Sequence, residues 1–454
     1  MEELITSPQD LITNQIRSLI EENKLDDLRA LMLDIHPADI ADILDNLSPD
    51  EAVAVFNLLS DQVASEVLDE TGSIVRQELV EKVDDERLAD LLEELPMDDA
   101  AEFLDDLPDD TATLLLDLME PEEAQEVRDL LRYEDETAGR LMTSDVAALR
   151  RHWTVEDSLQ YLRSLKDIEE AETVHYLYVV DRDNRLIGVV PIRALLQASP
   201  KTTIESIMQT DILTISYTAD QEELADMMSK YDFVALPVVD AEMHLLGVVT
   251  VDDVLDVLEE EATEDIQRLG GSEPLDQPYF AASVPQVVGK RLIWLIPLFA
   301  ASLATDAVVE NYAALLAAFV SLTIFIPVVS GTAGNAGSQT VATIIRAIAV
   351  GEVRLVDLGR TLAREMGVGL ILGIVLGAAG FVRALLFHSD PGVPLVLSVT
   401  LLIVVVWATT VATLVPLITH RLRIDPAVVS APMITTIVDA TGIFIYLALA
   451  SIIL

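Results

Sequence analysis

The chain has 454 residues and carries 77 Asp and Glu against 28 Lys and Arg, a formal net charge of −49, with no cysteine. Residues 1–280 hold 69 of the acidic and 19 of the basic side chains, while the remainder is nearly neutral and strongly apolar. A soluble part this negative repels nucleic acid and anionic lipid and attracts cations, so DNA and RNA are excluded as partners. The lack of cysteine excludes disulfides, thiolate zinc sites and cysteine nucleophiles. The opening "MEELITSPQDL" is acidic and shows no basic region followed by an apolar run, so no secretory signal is visible and the soluble part is expected in the cytosol.

From about residue 28 to 131 short units recur, among them "DIADILDNLSPDE", "RLADLLEELPMDD" and "AAEFLDDLPDDTA". Each puts Leu or Ile on one face and ends in a Ser-Pro or Leu-Pro turn, which predicts a superhelical bundle of short helices. A repeat of another kind follows. "VVDRDNRLIGVVPIRALL" from Val179 and "VVDAEMHLLGVVTVDDVL" from Val238 align without a gap at an offset of 59. Each copy reads strand, turn, Gly, strand, helix, and the duplication predicts a tandem α/β pair. This resembles the cystathionine-β-synthase (CBS) pair, whose Gly-x-x-Thr/Ser-x-x-Asp pattern holds the ribose of an adenine nucleotide. The second copy matches with Gly247, Thr250 and Asp253; the first has Pro191 and Ala194 at the corresponding places. The resemblance therefore implies one nucleotide site per chain at most, and a purely structural pair is the competing reading.

In "VDDVLDVLEEEATEDI" Asp252, Asp256, Glu260 and Glu264 follow at four-residue steps, with Asp253, Glu259, Glu261 and Asp265 beside them, and no basic residue comes before Arg268. Like charges at that spacing destabilise a helix by about 0.2–0.5 kcal/mol a pair. A helix so loaded is suited to weak, water-rich cation sites.

Five apolar stretches approach the ~20 residues that cross a bilayer: about 292–309, 312–329, 366–387, 394–419 and 428–454. Lys290, Arg291, Arg346, Arg354, Arg360, Arg364, Arg421 and Arg423 fall on one side, and Asp306, Glu310, His388 and Asp390 on the other, with Arg383 as the exception. The bias places the N-terminus in the cytosol and the C-terminus outside. Prolines 297, 327, 416 and 432 interrupt four stretches, and "VVSGTAGNAGSQT" follows Pro327, so broken helices lining a wet cavity are expected there, with Ser330, Thr332, Asn335, Ser338 and Gln339 in the lining. Gly369, Gly373 and Gly377 predict close helix packing.

Inside the last stretch, "APMITTIVDATG" contains Asp439. A carboxylate at membrane depth costs a few kcal/mol and is kept for a partner. A proton relay or aspartyl protease needs a second such carboxylate, and a metal-dependent protease needs His-Glu-x-x-His; neither pattern is in the sequence. One carboxylate with Thr435, Thr436 and Thr441 around it suits a cation site, doubled about a two-fold axis and matched to Mg²⁺ held through its water.

The order of parts, with "GGSEPLDQPYF", "GNAGSQ" and "PMITTIVDATG", resembles the MgtE family of magnesium channels. The resemblance implies a homodimer in the cell membrane, embedded in lipid, that conducts Mg²⁺ inward without enzymatic activity. It implies five regions: an acidic bundle (1–135), two CBS domains (136–201 and 202–262), a connecting plug helix (263–290) and an all-α five-helix pore domain (291–454). The pore residues fall on Asp439 and Asn335, with Thr435, Thr436 and Gly442 from the same motifs. The cytosolic Mg²⁺ sensor falls on Asp90, Glu94, Asp98, Asp220, Glu222, Glu223, Asp226, Asp253, Asp256, Glu259, Glu260 and Asp265. ATP or another adenine nucleotide is implied as a regulator, not hydrolysed. The alternatives are a cation-coupled Mg²⁺ exchanger, a CBS-regulated intramembrane protease, and a signalling protein whose membrane part is an anchor.

Overall fold

The computed structural model describes residues 8–144, 146–164, 176–275, 279, 282–387, 389–422 and 424–454. His388, Arg423 and part of the "GGSEPLDQPYF" segment therefore lie outside the described residues. The chain forms two compact units, 1–260 and 261–454.

Unit 1 opens with ten short helices, from α1 (Pro8–Glu21) to α10 (Pro121–Leu130). Proline sets their rhythm, because it favours the first turn of a helix and disfavours helix in the residue before it. Pro37, Pro49 and Pro121 stand in first turns, and Pro96 and Pro108 immediately precede helices. Before Pro49, Ser48 N and Oγ both donate to Glu51 Oε2, at 2.9 and 2.6 Å. The recurring Leu and Ile pattern gives the same buried face three times: Ile40, Ala41, Ile43 and Leu44; Leu88, Ala89, Leu91 and Leu92; Ala100, Ala101, Phe103 and Leu104. These residues form one apolar core that continues into the second CBS copy through Leu224, Met228, Leu236, Val249 and Val254. Buried Arg140 joins the two parts, donating to the Ala101 carbonyl (3.1 Å) and pairing with Asp105 (3.2 Å).

The repeat folds as two three-stranded sheets, β1 (Ala148–Arg150), β2 (Tyr176–Val180) and β3 (Leu186–Pro191), then β4 (Ile215–Ser216), β5 (Ala235–Val239) and β6 (Leu245–Thr250). In each sheet the first strand is parallel and the third antiparallel to the middle one. The copies exchange their leading segments, since Thr143 bridges to Val248 of the second sheet and Gln209 to Val189 of the first. The helices that follow β3 and β6 differ in length. α12 (Ile192–Gln197) stops before Ser199-Pro200, whereas α14 (Val251–Leu269) runs 19 residues without a break. The border expected at 262/263 thus falls inside a helix.

Among the described residues of unit 2, four stretches are long and apolar enough to cross a membrane: Val284–Asn311, Leu355–Leu386, Val393–Arg421 and Ala431–Ile453. The first comprises α15 (Val284–Ala301) and α16 (Leu303–Asn311), separated at Ser302. The expected second crossing at 312–329 is not a single helix. It divides into α17 (Ala313–Ala318) and the start of α18 (Ser321–Ala349), and α18, 29 residues long, is the fifth long helix. Its Gly, Ser, Asn and Gln content dilutes the apolar character that marks the other four. The breaks expected at the prolines are also corrected: Pro297, Pro327 and Pro416 lie inside helices, and "SGTAGNAGSQT" is helical throughout. Proline removes a single backbone donor, and packed neighbours in a membrane bundle tolerate that loss.

α20 (Val393–Arg421) packs against α18, α19 (Leu358–Leu386) and α21 (Ala431–Ile453). The glycine spacing of α19 acts as expected. A Cβ at Gly373 would lie 2.8 Å from the Leu402 carbonyl oxygen and one at Gly377 2.7 Å from that of Ser398, whereas one at Gly367 would meet nothing within 4 Å. Gly373→Ala should therefore destabilise the chain by about 1–3 kcal/mol, and Gly367→Ala should leave it unchanged. Thermal melting in detergent checks the pair, and equal effects would remove the packing argument.

Candidate ion pathway and cation-sensing surfaces

α21 starts cleanly because the Ser430 hydroxyl caps it, accepting from Met433 N, with Pro432 in its first turn. Two turns on stands Asp439, half-buried, with the Ser330 hydroxyl of α18 donating to its Oδ1 at 2.7 Å. One turn earlier, Thr435 Oγ1 lies 3.2 Å from Ser338 Oγ, and its methyl fills the space over Gly334. Thr435 and Thr436 also donate back to the Ala431 and Pro432 carbonyls, both at 2.9 Å. Trp407 of α20 donates its indole N–H to Thr441 Oγ1 at 2.8 Å. Together these contacts line the α18–α21 seam with hydroxyls and one carboxylate.

Asn335 does not join Asp439 within one chain. Five residues beyond Ser330, it is turned about 140° around the helix and lies on an exposed strip with Pro327, Gly331, Gln339 and Thr343 at four-residue steps. Gly442 is buried against α20, where a Cβ would lie 3.1 Å from Val404 Cγ1, so packing accounts for its missing side chain. α15 and α16 bury none of their residues within the chain, and α15 exposes Leu292, Ile293, Leu295, Ile296 and Phe299.

Among the sensor residues, Asp90, Glu94, Asp220, Glu222, Glu223, Asp226, Asp256, Glu259 and Glu260 are exposed, Asp253 and Asp265 half-buried and Asp98 buried. Asp220 caps α13 (Gln221–Tyr231), accepting from Glu222 N at 2.9 Å. Two groupings bring in residues that sequence reasoning missed. In unit 1, Asp69 of α5 (Asp61–Glu70) and Glu102 of α8 (Met97–Asp105) feel the charge of Asp256 on α14. Arg76, whose guanidinium donates to Asp106 (3.1 Å) and the Asp69 carbonyl (2.8 Å), stands beside them. Burial pushes the Asp69 carboxyl up to about 6, Arg76 opposes this, and Glu102, Glu70 and Asp256 reinforce it.

In unit 2, Arg268 bonds Asp425 of the α20–α21 loop at 2.8 Å and pairs with Glu264 one turn before it. Burial and the Asp425 charge raise the neighbouring Asp265 carboxyl, against Arg268 and Arg346. The chain then turns at Gly271 (φ +76°), where a Cβ would come 3.0 Å from Pro432 Cγ. The end of the acidic helix thus abuts the first turn of the helix that carries Asp439. Asp425 had a usable signal in the sequence, as the lone acid in "RLRIDP", a loop assigned to the cytosolic side.

At the proposed nucleotide motif, Thr250 N and Oγ1 donate to Asp253 Oδ2 at 3.2 and 2.8 Å, opening α14. A Cβ at Gly247 would lie 2.5 Å from the Thr143 carbonyl oxygen, so the exchanged leading segment itself demands glycine.

A CBS pair with an acidic helical bundle, attached to a helical membrane domain with a seam of hydroxyls and one carboxylate, defines a CBS-bearing cation transporter. Comparison with known proteins narrows the class. Residues 326–449 match the family model "Divalent cation transporter", 35–136 the "MgtE intracellular N domain", and 138–201 and 204–260 the CBS domain. A magnesium transporter MgtE from Thermus thermophilus is 41% identical over 323 residues, 71% of each chain. Its namesake from Enterococcus faecalis is 36% identical over 322 residues, 70% of this chain and 69% of that one. Among solved structures, the cytosolic domain of the Mg²⁺ channel MgtE in complex with ATP superposes with a TM-score of 0.52 at 39% identity, covering 54% of this chain and 99% of that one. The chain belongs to the MgtE family of magnesium transporters.

The pKa shift of Asp69 has a measurable sign. Between the ordinary 3.8 and about 6 the folded chain holds a proton that the unfolded chain has released. Stability from this group therefore falls as pH rises through that window and stays at its lowest above it. Asp69→Asn should raise the melting temperature at pH 7 by the equivalent of about 1–3 kcal/mol, with the gain shrinking toward about pH 4. A gain that is the same at both pH values would remove the titration from the explanation.

Proposed function

We propose that the chain is one protomer of a homodimeric Mg²⁺ channel in the cell membrane, N-terminus in the cytosol and C-terminus outside, that admits Mg²⁺ down the membrane potential. The observation that carries this is the seam itself: a membrane-depth carboxylate held by Ser330, beside a helix whose outward strip is Gly331, Asn335 and Gln339. Amide side chains at that depth are unfavourable against lipid. A second copy and a water-filled path between the copies give the strip a polar environment and double Asp439. Lipid or that second copy covers the bare apolar surface of α15. A doubly charged ion falling through 100 mV gains about 4.6 kcal/mol, so no fuel is required.

Closure follows from charge. Asp69, Glu102 and Asp256 crowd one end of α14, and Asp265, Glu264 and Asp425 the other. Cytosolic Mg²⁺ at these carboxylates, and at the exposed acids of α7 (Asp85–Glu93) and α13, draws the parts together. Its loss leaves them repelling, and the end of α14 moves the first turn of α21. An adenine nucleotide at Thr250 and Asp253 biases this switch without being hydrolysed, in keeping with the ATP complex of the solved relative.

Asp439→Asn should lower Mg²⁺ flux into liposomes more than about tenfold, a change of 1.4 kcal/mol, with folding unchanged; unaltered flux would make Asp439 structural. Asp256→Asn and Asp265→Asn should each raise the cytosolic Mg²⁺ concentration that closes the channel, read by patch current. A current that reverses with an imposed Na⁺ or H⁺ gradient rather than with voltage would favour a coupled exchanger instead.

A further inference from the structure

The turn between β5 and β6 holds a cluster that neither transport nor nucleotide binding uses. Among the described residues, Asp240, Glu242 and His244 each bring one ligand atom within 4.8 Å of the others. His244 Nδ1 lies 2.7 Å from Asp240 Oδ2. The pair is hydrogen-bonded as it stands, and two ligands on one ion with bonds of about 2.0–2.2 Å stand roughly 3–3.5 Å apart, so a small side-chain rotation within the cluster brings them to that spacing.

The first repeat supplies an internal comparison. Asp181 Oδ1 accepts from Asp183 N (2.8 Å) and Arg185 N (3.0 Å), as Asp240 Oδ1 accepts from Glu242 N (3.0 Å) and His244 N (2.8 Å). The first hairpin closes with arginine where the second has histidine, so the turn does not require an imidazole. The two turns also meet. Arg185 and His244 form an antiparallel bridge, with Leu186 N donating to Met243 O at 2.8 Å and Leu245 N to Asn184 O at 3.0 Å. Asp181 stands near enough to feel the His244 charge, which adds to the stronger effect of the Arg185 N–H in holding its carboxyl low.

We infer that this turn binds a borderline divalent cation of the Zn²⁺, Co²⁺ or Ni²⁺ kind, through His244 Nδ1, an Asp240 carboxylate oxygen and Glu242, with Asp181 of the other repeat close by. An imidazole nitrogen among carboxylates favours these ions over Mg²⁺, which takes oxygen ligands. Such an ion would sit where the two hairpins already meet. The soluble half would then carry two kinds of cation site, one for Mg²⁺ and one for ions that compete with it.

Co²⁺ is the probe, since its visible absorption reports nitrogen and oxygen ligation directly. The full chain in detergent should develop the band at one equivalent per chain and keep it in excess Mg²⁺. His244→Arg, which copies the first hairpin and so preserves the fold, should weaken binding at least about tenfold without changing the melting temperature measured without metal. No band in the wild-type chain, an equal band in His244→Arg, or a band abolished by Mg²⁺ would overturn the assignment.

Discussion

A carboxylate on a membrane helix constrains everything around it, because hydrocarbon cannot solvate it and water or protein donors must be brought to it. The packing of unit 2 answers that constraint. α18 brings Ser330 to Asp439, keeps small residues, Gly334 and Gly337, where α21 crosses, and presents its amides on the opposite strip. α20 fills behind the seam with apolar side chains and lends Trp407 to Thr441. Carried by a helix that lacks only the Pro327 donor, Ser330 has a stiffer support for a short donor than the irregular backbone that Pro327 and its glycines suggest.

The soluble half meets the converse problem, charge in excess of what its own cations neutralise. Its few arginines show where the chain supplies its own counter-charge. Arg140 is buried among Ala101, Asp105 and Asp135 and fastens the bundle to the CBS pair; Arg76 stands beside Asp69 and Asp106; Arg268 bridges Glu264 and Asp425. The partly exposed pairs of Arg76 and Arg268 contribute about 0–1 kcal/mol each, so they orient their partners without fixing them, whereas the Arg140 side chain is buried. Mobile divalent ions, on the reading proposed above, complete the neutralisation and make it depend on concentration.

Much of this was legible because local rules carry it. Leu-Pro and Ser-Pro turns mark the bundle helices, the 59-residue offset marks the CBS pair, and the α19 glycines mark a close crossing. Asp439 announces itself by being charged where its neighbours are apolar. What the sequence hid is tertiary. Asp69, Glu102 and Arg76 look like any other surface charge until folding sets them beside Asp256. The second crossing was misplaced for a related reason: hydropathy follows composition, and α18 owes its helical state to neighbours that cover its glycines.

The two CBS copies have diverged at the helix leaving the sheet. α12 ends after six residues, stopped by Ser199-Pro200, and meets solvent-facing Leu196 and Gln197. α14 meets no proline or glycine before Gly270, so it runs 19 residues against the six of α12, and the turn after it at Gly271 lies against Pro432. The repeat thus has one short arm and one long one, and the long arm carries the crowded carboxylates. Its last turn leads to Gly271 beside Pro432, and Pro432 stands seven residues, two helical turns, before Asp439 on α21.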